Sequence, residues 1–111
     1  TIFADGRQTR DFVYAADVAR ANLAAMAGDA SGVFNIGTGR AVSVRELADQ
    51  VLRLTGSRSE RRFAPPRAGD ALCSTADARR AAAVLDWRPG WGLDRGLGAT
   101  IDWFQAGRPV S

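Results

Sequence analysis

Ser43-Val44-Arg45-Glu46 constrains this chain more than any other stretch. A serine followed three residues later by a glutamate lets each side chain satisfy the other's free backbone amide, so a helix must begin here. Val44, Leu47, Ala48 and Val51 then fall on one face, Arg45, Glu46, Asp49 and Arg53 on the other, and Gly56 supplies a stop. Around this helix the chain is cut into short pieces by glycine and proline. Thr1-Ile2-Phe3 reads as a strand ended by Asp5-Gly6, and residues 10–14 alternate as a second strand with Arg10, Phe12 and Tyr14 on one face. Asp17 precedes a helix that closes at Gly28, with Val18, Ala19, Leu23 and Met26 on one arc. Residues 33–36 form an apolar run between glycines 32 and 37, a third strand candidate, and residues 61–64 a weaker one. Asp77 is placed to cap a helix with Ala78, Ala81, Ala82 and Leu85 on one face. Beyond Pro89-Gly90, a last helix over residues 93–104 would bury Leu93, Leu97, Ile101 and Phe104. The order β-β-α-β-α-β-loop-α-α gives a mixed α/β fold class, in one domain over residues 1–111.

Composition excludes several functions. With no histidine and one cysteine, Cys73, neither a Ser-His or Cys-His nucleophile pair nor the usual zinc ligand sets can be built. Cys73 has no internal disulfide partner, which fits a reducing, cytoplasmic compartment. All 15 basic residues are arginine, but the net charge is only +3, too small for a dedicated nucleic-acid binder, and no apolar run is long enough to span a membrane. Tyr14 has Val18 four residues on, so a Tyr-x-x-x-Lys acid/base dyad is absent. Gly37-Thr38-Gly39 would need a glycine at 42 to complete a dinucleotide fingerprint; Val42 stands there, and a strand-to-helix turn is the simpler reading. The chain opens on Thr1 rather than an initiating methionine, as a segment of a longer protein would.

The chemistry that remains is binding chemistry. Pro65-Pro66-Arg67-Ala68-Gly69-Asp70 is a stiff loop holding out one guanidinium and one carboxylate. Arg67 could lie in solvent, or make forked hydrogen bonds to a diphosphate; Asp70 could bond its own turn, or accept hydrogen bonds from ribose hydroxyls. Arg10 could pair locally with Asp11 or reach a ligand. Trp87, Trp91 and Trp103 are expected in the core or at a contact with a neighbouring lobe.

Three stretches in register carry a resemblance: DGRQTRDFVYAADVARA, GVFNIGTGRAVSVRELADQV, and APPRAGDALCSTADARRAAAVLDWRPGWGLDRGLGATIDWF. Together they resemble the C-terminal part of the NAD-dependent epimerase/dehydratase family, extended short-chain dehydrogenases acting on nucleotide sugars, with UDP-glucose 4-epimerase-like members nearest. The resemblance implies a mixed α/β lobe that binds a UDP- or dTDP-hexose. Arg10 of the Arg-Asp-aromatic motif would contact the diphosphate or nucleotide, Arg67 the diphosphate, and Asp70 the ribose. It also implies that NAD, the catalytic Tyr-x-x-x-Lys pair and most of the Rossmann sheet belong to an N-terminal domain outside these 111 residues. The chain alone is then expected to hold no cofactor and to be inactive. Ala15-Ala16 depart from the family's common Val-Asp before Asp17. A non-catalytic sugar-nucleotide-binding or protein-interaction module derived from the family is the alternative.

Overall fold

In a computed structural model, residues 1–107 are described. The elements run β1 (Ile2–Phe3), β2 (Thr9–Arg10), α1 (Ala15–Ala27), β3 (Val42–Ser43), α2 (Val44–Thr55), β4 (Phe63–Ala64), α3 (Arg79–Leu85) and α4 (Leu93–Gln105). The strands form two small ribbons. β1 pairs parallel with β4, Ile2 opposite Phe63, and β2 pairs antiparallel with β3, Arg10 opposite Val42. A single parallel bridge from Thr9 to Cys73 adds a third line of chain beside β2. The fold class is therefore mixed α/β, as expected, with helices outweighing sheet.

α2 forms as its sequence dictates. The Glu46 amide donates to Ser43 Oγ at 3.0 Å and the Ser43 amide to Glu46 Oε2 at 3.2 Å. Gly56 terminates the helix with φ +62°, a left-handed conformation that glycine adopts without a Cβ clash. β1, β4 and α4 also sit where expected, although β4 is trimmed to two residues and Phe104 is exposed rather than buried.

Other expectations are corrected. The strand read over residues 10–14 ends at Arg10, because the Asp11 carboxylate turns away to bind backbone amides of distant loops. Residues 33–36 make no strand ladder; alternation and apolarity select an extended face, but a strand also needs a neighbour with free amides, and Val33 is 83% exposed. α1 begins at Ala15, so Asp17 lies inside its first turn rather than before it. Its buried positions are Asp17 and Ala21, whereas Leu23 and Met26 face outward. The cap residue of α3 is Ala78, not Asp77; Asp77 stands one residue further out and still accepts the Arg79 amide at 3.1 Å.

The core is thin. Ala21 from α1, Ala81 from α3 and Trp87 form its buried centre, with Val13, Phe34, Ile36, Ala78 and Leu85 packed around them. Ile2 and Val42 are buried within the two ribbons, Ile2 in β1 and Val42 in β3. The radius of gyration is 16.3 Å, against roughly 13 Å for a self-contained domain of this length. Exposed Leu23, Met26, Val33 and Val84 mark where apolar side chains outnumber what the core covers.

Candidate functional site

The two ribbons bring the loop over residues 65–72 to Arg10. β4 runs straight into Pro65-Pro66, and its pairing with β1 fixes the base of the loop beside Phe3. The far end of the loop is held by β2, where the Thr9 amide donates to Leu72 O at 2.9 Å and the Ser74 amide to Thr9 O at 3.2 Å. Between these anchors, the Asp70 amide donates to Arg67 O at 3.3 Å and Gly69 takes φ +77°. A positive φ at the third position of such a turn is why glycine stands there.

This geometry assembles all three residues singled out in the sequence. Arg10 Nη2 donates to Asp70 Oδ1 at 2.6 Å, while its Nη1 donates to Thr9 O at 2.7 Å and Ala71 O at 2.8 Å. Arg67 Nη2 lies 3.8 Å from Asp70 Oδ2, and its guanidinium stacks 4.4 Å from the centre of the Phe3 ring. The Arg67 side chain is 61% exposed and Asp70 only 20%. Arg10 thus pairs across 60 residues rather than with its neighbour Asp11. A hollow of about 160 Å³ opens beside the cluster, lined by Ala4, Gln8, Pro66, Arg67, Asp70 and Leu72 among others. A larger open groove of about 490 Å³, lined by Asp11, Asn35, Ser74, Thr75 and Asp77, meets Arg10 from the other side. Arg10 therefore lines the groove, while Arg67 and Asp70 line the hollow. In the groove, the Arg79 side chain and amide hold the Asp77 carboxyl down at about 2.

Two carboxylates not singled out as a site organise the surroundings. Asp11 accepts from the Thr38 hydroxyl and amide, from the Gly39 amide at 2.8 Å and from the Ala76 amide at 3.3 Å. Burial pushes its pKa up, but these hydrogen bonds outweigh it and leave the carboxyl below its usual range. The packing is tight enough that a Cβ on Gly37 would come 2.5 Å from the Ala76 methyl and 2.7 Å from Asp11 Oδ2. The amides of Thr38 and Gly39, which a dinucleotide fingerprint would turn toward a pyrophosphate, are spent on Asp11. The 37–39 turn therefore does not fit a nicotinamide dinucleotide.

Asp17 is 0% exposed. Its Oδ1 accepts from Arg20 at 2.6 Å and the Gly90 amide at 3.0 Å, its Oδ2 from the Trp91 amide at 3.0 Å, and its carbonyl from Trp87 Nε1 at 2.9 Å. Burial raises its pKa, and the bonds from Arg20, Gly90 and Trp91 lower it further than burial raises it. The Ala15-Ala16 departure leaves these contacts intact, since both alanines are exposed. A signal for Asp17 existed in its place between a strand and a helix; for Asp11, whose partners lie 27 and 65 residues on, local spacing carried none. Among the described residues, no three metal-ligating side chains cluster, and no helix is long and apolar enough to cross a membrane.

A family model described as NAD dependent epimerase/dehydratase matches residues 1–37, the part that includes Arg10. UDP-glucose 4-epimerase of Mycolicibacterium smegmatis is 42% identical over 106 residues, which is 94% of this chain and 34% of that protein. The crystal structure of UDP-glucose 4-epimerase with UDP-glucose from Thermotoga maritima superposes with a TM-score of 0.92 at 42% identity, covering 96% of this chain and 34% of that one. The match falls in the C-terminal part of these proteins. The chain closely resembles the C-terminal part of NAD-dependent epimerase/dehydratase family members. It spans about a third of the length of the curated relatives it matches. Another of its relatives, UDP-glucose 4-epimerase of Thermus thermophilus, was solved in complex with NAD and aligns with a TM-score of 0.89 at 33% identity, covering 96% of this chain and 35% of its own.

Proposed function

We propose that residues 1–111 form the nucleotide-sugar-binding lobe of an NAD-dependent epimerase or dehydratase acting on a UDP- or dTDP-hexose, in a reducing cytoplasmic setting consistent with the exposed thiol of Cys73. The observation that carries the reading is the convergence of Arg10, Arg67 and Asp70 on one loop, two cations and one acceptor beside a hollow. Arg67, exposed and stacked on Phe3, is free to fork onto a diphosphate. Arg10 adds a second positive charge from the strand side. Asp70 Oδ2 has capacity left for ribose hydroxyls.

In this reading NAD, bound by an N-terminal Rossmann domain, supplies reversible hydride removal at the hexose. The residues of this lobe anchor the nucleotide end. They leave the sugar to the other domain, and the lobe alone has no turnover. Residues 33–36, which join no strand ladder, and exposed Val33 supply surface that domain would cover.

Titration of UDP into the chain, followed by amide NMR, tests the reading. Peaks of residues 10 and 67–70 should move together. Arg67→Ala should weaken binding by about 1.5–3 kcal/mol, the loss of a charge-assisted hydrogen bond. An unchanged affinity would remove Arg67 from the site.

A further inference from the structure

Asp70 sits between two cations before any ligand arrives. Its Oδ1 is 2.6 Å from Arg10 Nη2 and its Oδ2 is 3.8 Å from Arg67 Nη2. The two arginines are held differently. Arg10 is tied to Thr9 O and Ala71 O through its other terminal nitrogen, so three acceptors on two pieces of chain fix its plane. Arg67 rests on the face of Phe3 and otherwise meets solvent. Asp70 is coupled to Arg67 by the turn that closes from the Asp70 amide to Arg67 O, so carboxylate and guanidinium are presented as one unit.

We propose, resting on the nucleotide-sugar reading of this site, that Asp70 determines specificity as an internal counter-ion. Bonded to Arg10 and facing Arg67, it sets a negative charge where a bare anion would approach the two cations, and admits only a ligand that joins a diphosphate to hydroxyl donors. The argument is electrostatic. An inorganic diphosphate that reaches both arginines must place its oxygens within a few ångströms of the carboxylate. Like charges at that range repel with little help from salt, whose screening length is about 8 Å. A nucleoside diphosphate meets the same repulsion, but it carries two vicinal ribose hydroxyls. An ionised carboxylate accepts hydrogen bonds only, and Oδ2 has lone pairs not used by any described hydrogen bond. The group that rejects the bare anion is therefore the group that rewards the nucleotide, a discrimination achieved by a built-in repulsive element. The 2.6 Å bond from Arg10 Nη2 to its Oδ1 holds the carboxylate where the clash arises.

Calorimetric titration of inorganic diphosphate and of UDP, into the 111-residue chain and into Asp70→Asn, tests this. Asparagine keeps the shape and an acceptor while removing the charge. Inorganic diphosphate should bind Asp70→Asn at least about fivefold tighter, and UDP should bind it more weakly, so that the preference for the nucleotide collapses. The gain should vanish in Asp70→Asn/Arg67→Ala, which removes the freed cation. If Asp70→Asn does not give a dispersed amide spectrum, Asp70→Ser reads the same quantity. Diphosphate affinity that is unchanged or weaker without the carboxylate overturns the proposal. A diphosphate gain on a chain that never binds UDP would uphold the counter-ion role and overturn the nucleotide-sugar reading instead.

Discussion

Asp17 and Asp70 make the same contact and do different work. Each meets an arginine at 2.6 Å. Around Asp17, every other lone-pair direction that matters is also filled, by the amides of Gly90 and Trp91, and the side chain is sealed from water. Around Asp70, one oxygen is engaged and the other has only a 3.8 Å approach from an exposed Arg67. The distance of an ion pair therefore says little about its role. What separates a structural carboxylate from a binding one is the hydrogen-bonding capacity left over, together with access to solvent.

The contrast is sharpest in stability. Asp17→Ala strands the backbone amides of Gly90 and Trp91 and unpairs Arg20, and should lower the unfolding free energy by about 3 kcal/mol, read from urea denaturation of the 111-residue chain. A loss no larger than that of an exposed aspartate would break the distinction. Acid should act through the same residue. The folded pKa of Asp17 is depressed, so its contribution is fully present above the unfolded value near 3.8 and is lost as pH falls through the lower folded value. Urea midpoints should drop below about pH 4, and Asp17→Asn should flatten that dependence. The smallest effect is expected at the binding carboxylate itself. Asp70→Asn should shift stability by less than about 1 kcal/mol, because Arg10 keeps its bonds to Thr9 O and Ala71 O. A larger loss would mean that Asp70 is a second Asp17.

What could be read in advance follows the same division. Short-range chemistry was legible: the Ser43–Glu46 box, the Gly56 stop and the stiff Pro-Gly loop carrying Arg67 and Asp70 all turned out as local spacing requires. Long-range chemistry was not. The hydrogen bonds of Asp11 and Asp17 end on backbone amides 27 to 74 residues away, and an amide has no sequence signature. The overextended strands at 10–14 and 33–36 fail for a related reason, since a periodic pattern describes a surface but not the chain that would pair with it. Leu23, Met26 and Phe104 show the limit for helices: their spacing is right for a buried arc, yet each is exposed among the described residues. The ion pair from Arg10 to Asp70 lay between these extremes, since the loop was recognisable and its docking on the strand was not.

Trp87 gives the protein an optical property of its own. Its ring is 2% exposed and its indole N–H is bonded to the Asp17 carbonyl, whereas Trp103 sits near the surface beside Phe104. The emission of the buried indole reports on the junction between the first helix and the segment that follows the third. Loosening that junction, by acid or by substitution at residue 17, should move the fluorescence maximum to longer wavelength, and ligand contact at the distant Arg67 loop should leave it still.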